Sequence, residues 1–318
     1  MKKAELTFMG TGTSQGIPII GCKCPVCSST DEKDKRLRAS ALVKYCGLSI
    51  LIDAGPDFRT QMIREGISHL DAILLTHNHK DHTGGLDDVR ALNYIDKKSI
   101  EIYCEDKVIE SLKREYSYGF KEVKYPGAPE WHVHRIENRP FLVYDNHPDG
   151  ELVWIHDKGY FFERPDGTLL PTSSQLIDDA DFIEDPEFNG RFEVQNPYGV
   201  EVIPIRGLHD KMPVLGFRFG NIAYITDISY LPEEELAKLK GLDHVTLNTV
   251  SYKKHHSHLS LDEALDLADI IGAKHTWLTH LSHNFPTHEE FKAQIKSLCQ
   301  QRHIRSDVQP AYDGLTIK

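Results

Sequence analysis

His77, His79, Asp81 and His82 crowd the stretch Thr76-His-Asn-His-Lys-Asp-His-Thr-Gly-Gly85, directly behind the apolar run 71–75. In an extended loop, residues two apart point the same way, so His77 and His79 can grip one cation. Asp81 and His82 follow as the chain turns into a helix, and can face a second cation beside the first. Gly84 and Gly85 permit close backbone approach. Elsewhere, Asp53, His209, Asp227 and His280 each stand at or just past the end of an expected strand. Crevices outside strand ends are where open α/β folds place ligands. A second cluster packs Cys22, Cys24 and Cys27 into six residues. With nothing to indicate secretion, three thiols this close read as a metal site rather than as part of a disulfide framework. Cys46, Cys104 and Cys299, scattered among apolar residues, read as buried thiols.

The elements that must position these groups show in the hydrophobic pattern. Short apolar, β-branched runs bounded by Gly, Asp and Pro predict strands at 6–9, 41–45, 49–52, 72–76, 100–103, 200–205, 214–219, 222–226, 244–248 and 275–279. Ser260 and Glu263 form a capping box ahead of an amphipathic run to Ile271, and Thr287 with Glu290 repeats the device ahead of 291–298. Pro232 suits a helix first turn. Strands and helices alternate, so the class is α/β. Residues 126–196 depart from this pattern. Turn-rich and carrying Trp131, Trp154, Tyr160, Phe161 and Phe162, they read as an inserted, mostly β or irregular segment. Within it, 151–156 and 159–163 read as a hairpin and Pro165-Asp166-Gly167 as a turn. The expected organisation is one domain over 1–318 carrying this insertion.

Composition narrows the partners. Apolar residues make up 40% and charged residues 27%, enough for a sizeable core. Net charge is −11, and residues 142–196 carry nearly all of it, with thirteen acids against Lys158, Arg164 and Arg191. Such a field repels phosphate backbones, which argues against a nucleic-acid partner. No stretch approaches the ~18 apolar residues of a membrane span, and the first ten residues lack the apolar region of a signal peptide. A soluble, cytoplasmic protein acting on a small anionic substrate is expected, with no membrane partner. The insert's aromatics, such as Trp154 and Phe161, are expected to shape the substrate mouth or a homodimer contact.

Taken in order, the Asp53, His77-x-His79-x-Asp81-His82, His209, Asp227 and His280 motifs resemble the metallo-β-lactamase superfamily, from Thr7 to Gly314 apart from the insert. That resemblance implies a four-layer αββα sandwich (α+β in some schemes) with a two-metal site at one edge of the paired sheets. His77, His79 and His209 would hold one metal and Asp81, His82 and His280 the other. Asp227 would bridge them, and Asp53 would support the loop by hydrogen bonding. A narrower resemblance lies in Gly10-Thr-Gly-Thr-Ser-Gln-Gly-Ile-Pro18, Gly21-Cys-Lys-Cys-Pro-Val-Cys27 and Thr279-His-Leu-Ser-His283. These are similar to the cyclic-phosphate phosphodiesterases of phosphonate utilisation (PhnP type), and a related glycine-then-cysteine pattern occurs in PqqB. The resemblance implies a structural zinc on Cys22, Cys24, Cys27 and His283, a ligand set that suits closed tetrahedral coordination. It also implies that His258 protonates the leaving group, with His255 and His256 as neighbouring alternatives.

The implied function is hydrolysis of a small cyclic or nucleotide-like phosphodiester by hydroxide generated at two cations, with Asp81, Asp227 and His258 at the catalytic centre. Two carboxylates against two divalent cations leave a net positive centre, which attracts an anion. The nitrogen-rich ligands suit zinc, and the carboxylates also admit manganese. Competing readings are a PqqB-like, non-hydrolytic role in cofactor biosynthesis, an ester, lactone or thioester hydrolase, and a tRNA 3′-processing nuclease. The last would need a basic, glycine-rich arm, which the chain lacks.

Overall fold

The structure is a computed structural model that describes residues 3–144 and 199–318. Between them it describes the backbone of four strands, β8 (Glu151–Ile155), β9 (Gly159–Glu163), β10 (Leu169–Pro171) and β11 (Arg191–Glu193). The earlier strands are β1 (Glu5–Gly10), β2 (Ser40–Tyr45), β3 (Leu48–Ile52), β4 (Ala72–Leu74), β5 (Ile100–Cys104), β6 (Trp131–Arg135) and β7 (Phe141–Tyr144). The later ones are β12 (Gly199–His209), β13 (Met212–Phe219), β14 (Ile222–Tyr224), β15 (His244–Asn248), β16 (His275–Thr279), β17 (Asp307–Pro310) and β18 (Thr316–Ile317). Helices among the described residues are α1 (Phe58–Arg64), α2 (Lys80–Thr83), α3 (Arg90–Asp96), α4 (Asp106–Glu115), α5 (Leu261–Ile271) and α6 (His288–Arg302).

Two seven-stranded sheets form, in the orders β18-β1-β2-β3-β4-β5-β6 and β17-β16-β15-β14-β13-β12-β7. Side-chain alternation along each strand explains why they stack. In β3, Leu48, Ile50 and Ile52 face the opposite sheet, meeting Phe217, Phe219 and Tyr224, while Leu51 turns outward. Outward on the first sheet, Leu51, Ile73 and Ile102 are covered by Phe58 and Met62 of α1, Leu92 of α3, and Val108 and Leu112 of α4. On the second, Val245, Leu247 and Leu278 are covered by α5 and by Phe291 and Ile295 of α6. Strands buried on both faces must be apolar throughout, as the continuous hydrophobic runs of β4 and β14 are. The result is the expected four-layer αββα sandwich.

Both sheets are mixed. Strands β3 to β6 run parallel, as do β14 to β17, so the C-terminal ends of each group gather at one rim. All ten expected strands are present, and Ser260–Glu263 and Thr287–Glu290 cap α5 and α6 as expected. Two differences stand out. Residues 131–135 and 141–144, expected within the irregular insert, are edge strands of the two sheets, and Trp131 is buried against Tyr116 and Phe120. The segment after Pro232 winds as a 3₁₀ helix, Glu233–Leu239, in which buried Glu235 accepts from Arg206 N–H at 2.9 Å and Asn138 Nδ2 at 2.7 Å. The β8–β9 pairing is the expected hairpin. The Pro165-Asp166-Gly167 turn and the side chains of Trp154, Tyr160, Phe161 and Phe162 lie outside the described residues. Among the described residues, no helix is long and apolar enough to cross a membrane.

Candidate metal centre

The gathered strand ends deliver the polar groups. Asp53 follows β3, His280 follows β16, and Asp227 stands three residues past β14. Their φ angles are 62°, 56° and 58°, in the left-handed region where the chain turns sharply out of a strand. His209 is the last residue of β12, at the hairpin into β13. The loop after β4 carries His77 and His79 and enters α2 with Asp81 and His82. It is tied to the Asp53 turn by Ala54 N–H to His82 O at 2.8 Å and Gly85 N–H to Ala54 O at 2.9 Å. Gly55 makes this contact possible, because a Cβ there would lie 1.9 Å from the Asp81 carbonyl oxygen.

All seven expected active-site ligands converge. Ligand atoms of Asp81, His82, Asp227 and His280 lie within 4.8 Å of one another. Asp227 Oδ2 is 3.0 Å from His82 Nε2 and 3.7 Å from His77 Nε2, and Asp227 Oδ1 is 3.0 Å from His280 Nε2. Asp81 Oδ2 is 3.3 Å from His82 Nε2. The imidazoles of His77, His79 and His209 pack together with ring centroids 4.6–5.7 Å apart. Asp227 therefore stands between the two halves. His209 Nδ1–H donates to the Asp227 backbone carbonyl at 2.9 Å, which leaves its Nε2 as the ligating nitrogen. Asp53, fully buried, accepts from His82 Nδ1–H at 2.7 Å, the supporting role expected of it.

The electrostatics call for cations. Burial, reinforced by the neighbouring His82 charge, holds His77 well below its ordinary pKa, and burial lowers His209. Burial disfavours charge on His82 too, but Asp227 and Asp53 outweigh it and keep the ring protonated. Burial likewise opposes ionisation of Asp227 and Asp81, yet the His280 and His82 charges beside Asp227, and His82 beside Asp81, hold both carboxyls below the usual range. Ionised carboxylates thus converge where His82 is the imidazole their field keeps charged. His77 Nε2 and His280 Nδ1 are buried without hydrogen-bond partners, and His280 Nε2 faces Asp227 Oδ1 at 3.0 Å out of hydrogen-bonding alignment. Unpaired buried nitrogens facing carboxylates are costly unless a cation joins them. The donor set fits divalent metal ions.

Of the three candidate proton donors, His258 reaches the centre. Its ring lies 4.7 Å from both His209 and His280, and one of its ring nitrogens falls within 4.8 Å of a His209 ring nitrogen and an Asp227 carboxylate oxygen. His255 packs behind it at 5.2 Å, and His256 packs on His255 at 4.5 Å.

The cysteine cluster also assembles. His283 Nδ1 lies 3.3, 3.6 and 3.7 Å from the sulfurs of Cys22, Cys24 and Cys27. Backbone N–H groups of Ile19 and Cys27 point at Cys27 Sγ and Cys24 Sγ, each at 3.4 Å. The Cys27 N–H leads the causes that pull the Cys24 thiol down to about 6. Leu281 N–H donates to Thr11 O at 2.8 Å, which sets this N-terminal loop beside His280. Buried Arg36 fastens the same loop through Thr11 Oγ1 at 2.8 Å, Ala311 O at 2.6 Å and His288 Nδ1 at 3.2 Å.

Several supports escaped the sequence reading. Tyr116 O–H donates to Thr83 O at 2.8 Å, and Lys80 reaches Glu115 at 2.5 Å with its ammonium 5.2 Å from the Tyr116 ring centroid, so α4 braces α2. Thr76 N–H donates to Asp53 Oδ1 at 2.8 Å. The available signal for Thr76 was a small hydroxyl residue wedged between a buried strand and the first ligand. Nothing local marks Tyr116, which lies 33 positions from its partner.

A family model described as a Beta-lactamase superfamily domain matches residues 49–148 and 174–281. Over 311 residues the chain is 33% identical to an octanoyltransferase of Porphyromonas gingivalis, a match covering 97% of this chain and 50% of that protein, so the chain spans about half of that relative's length. A crystal structure described as a new diphosphatase from the PhnP family is 32% identical, with a TM-score of 0.72 over 99% of this chain and 98% of the other. Zinc-bound PqqB from Methylobacterium extorquens shares the fold, at 17% identity and a TM-score of 0.62 over 99% of both chains. The chain belongs to the metallo-β-lactamase superfamily, a fold that binds divalent metal, and within it is similar to the PhnP family.

Proposed function

We propose that the protein is a dinuclear metal-dependent phosphodiesterase acting on a small cyclic or nucleotide-like phosphodiester. The observation that carries this is the convergence of His77, His79, Asp81, His82, His209, Asp227 and His280 at one rim, with the His258 imidazole packed against His209 and His280. In this reading His77, His79 and His209 hold one cation, Asp81, His82 and His280 the other, and Asp227 both. Cys22, Cys24, Cys27 and His283 hold a structural zinc. When bound, a divalent pair supplies positive charge for the phosphoryl oxygens and acidifies a water.

The chain's own residues do the rest. Asp227 and Asp81 set the spacing of the two halves, and Asp53 keeps the His82 ring from turning. His258 is the proton donor to the leaving oxygen. Its Nδ1 is buried and makes no hydrogen bond to the protein, so a proton there is free for a bound group. Burial, then the His280 charge, pushes His258 down to about 3, and the ring stays neutral until an anionic phosphate lies against it and works in the opposite direction.

The PhnP-family diphosphatase, 32% identical, supports a phosphorus-centred substrate and widens it to P–O–P linkages. The octanoyltransferase relative favours a second reading, hydrolysis of an acyl ester or thioester on the same site. A non-hydrolytic, PqqB-like role leaves the complete ligand set without a purpose, and the acidic segment disfavours transfer RNA as substrate. One panel separates these readings: zinc- or manganese-loaded protein assayed against bis(p-nitrophenyl) phosphate, a cyclic nucleotide, a dinucleoside diphosphate and an octanoyl thioester. Turnover on a phosphodiester is expected. Activity confined to the thioester, or none in fully metallated protein, overturns the proposal.

A further inference from the structure

Asp53 accepts more than the His82 bond. Its Oδ1 takes the Thr76 N–H at 2.8 Å, and its Oδ2 takes both His82 Nδ1–H at 2.7 Å and the Thr76 hydroxyl at 2.8 Å. The same Thr76 Oγ1 lies 2.9 Å from His77 Nδ1. All four residues are at most 2% exposed, so water does not compete for these bonds. A hydroxyl has one proton to give and lone pairs to receive, whereas an ionised carboxylate only receives. With its proton on Asp53, Thr76 Oγ1 can only accept from His77, which puts a hydrogen on His77 Nδ1 and the lone pair on Nε2. That Nε2 is the nitrogen found buried without a hydrogen-bond partner. The reverse arrangement sets an oxygen lone pair against the Asp53 carboxylate. It also moves the His77 proton to Nε2, whose nearest carboxylate oxygen, on Asp227, is 3.7 Å away and beyond hydrogen-bonding reach.

We propose that the Thr76 hydroxyl is a positioning relay through which the single Asp53 carboxylate, already holding the His82 ring by its Nδ1–H, also fixes the ring tautomer of His77. One buried carboxylate thereby orients a histidine Nε2 toward each half of the centre, given the two-metal reading above. His82 is held directly and His77 through one intervening oxygen. The rings so aligned sit 4.2 Å apart, centroid to centroid. Thr76 is the residue before His77, so a rigid backbone bond and a rigid side-chain bond both run from it to Asp53.

The test begins without metal. Long-range ¹H–¹⁵N histidine spectra of the demetallated wild type, Thr76→Ser and Thr76→Val report which ring nitrogen carries the proton. Expected is His77 protonated on Nδ1 in wild type and in Thr76→Ser, with the preference lost in Thr76→Val. Thr76→Ala serves in its place should the valine variant not fold. A wild-type His77 protonated on Nε2, or an unchanged tautomer in Thr76→Val, overturns the relay. Chelator competition then reads affinity. Thr76→Val should weaken one of the two active-site equivalents by about 10–100-fold and leave the other, Thr76→Ser should restore it, and Asp53→Asn should weaken both. Wild-type affinity in Thr76→Val, or no recovery in Thr76→Ser, is equally fatal. Uptake of a single active-site ion by wild type would sink the dinuclear reading, while the metal-free spectra would still decide the relay.

Discussion

Replacing Gly55 with alanine should damage the centre through one backbone contact, and the size of the effect follows from the structure. Gly55 is outside the left-handed region, so alanine meets no conformational barrier of its own. The obstacle is steric. The added Cβ would stand 1.9 Å from the Asp81 carbonyl oxygen, whereas Cβ contacts essentially never fall below 3.0 Å. The Asp53 turn and the ligand loop must therefore part by about 1 Å, and a misplacement of that order costs roughly 100-fold in rate. Overpacking of this kind also costs about 1–3 kcal/mol of stability. The assay is turnover of bis(p-nitrophenyl) phosphate by metal-loaded protein, read with metal content per chain and thermal unfolding. Gly66→Ala is the contrast. That glycine has a φ of 64° and nothing within 4 Å of its Cβ position, so alanine there should cost about 1 kcal/mol of stability and no turnover. A Gly55→Ala protein with wild-type turnover and metal content would refute the reasoning, since the two loops would then tolerate separation.

Three further outcomes are expected. His258→Ala should fold and keep its metals but lose about 10²–10⁴-fold in turnover of an alkyl phosphodiester, and less with a p-nitrophenyl leaving group that needs no proton. Equal losses on both substrates would remove His258 from the donor role. Cys24→Ser should lower bound zinc by one equivalent and reduce the unfolding temperature, as checked by elemental analysis and calorimetry, and unchanged zinc content would leave the cluster without its assigned ion. His69 donates to Asp71 Oδ1 at 3.2 Å and to Asp96 Oδ2 at 2.8 Å, and the Asp71 bond leads the causes that raise it from 6.5 to about 9. That raise is worth about 3 kcal/mol at most, and with the side chain 31% exposed we discount it to about 1–2 kcal/mol. Because the folded pKa is raised, this stability is complete below about 6.5 and is lost as pH rises through about 9. Urea unfolding should show His69→Gln weaker than wild type at pH 6 with the gap closing by pH 10, and a gap independent of pH would contradict this.

The candidate site was legible because its residues carry their own signals. His77 to His82 follow a buried strand at a spacing that turns would not produce by chance, and Asp53, Asp227 and His280 fall where parallel strands end. The central strands were equally readable, since burial on both faces leaves an uninterrupted apolar run. Residues 131–144 were not. Their strands are sheet edges, and β6 alternates Trp131 and Val133 toward the helices with His132 and His134, both near Glu101, on the other side. Pro126, Gly127, Pro129 and Pro140 surround them with turn signals, so the window read as irregular. Arg36 was invisible for a different reason. A buried guanidinium is explained only by Thr11, Ala311 and His288, partners 25, 275 and 252 positions away, which no local pattern reveals. Tyr116 and Thr76 belong to the same class, as their importance lies in which oxygen they reach across the fold.

The candidate ligands at the rim come from both halves of the sandwich. Asp53, His77, His79, Asp81 and His82 belong to the β3–β4 side, and His209, Asp227 and His280 to the β12, β14 and β16 side. An ion clasped there would act as a rivet across the seam between two sheets held mostly by hydrocarbon contact, with few directional ties such as Leu215 N–H to Thr76 O at 3.0 Å. Its affinity then adds to the stability of the sandwich in proportion to the logarithm of its concentration over its dissociation constant. It also fixes the lateral alignment of one sheet on the other, which greasy packing alone specifies weakly. A substitution far down the seam that lets the sheets slip would surface first as poor metal retention, long before the protein unfolds.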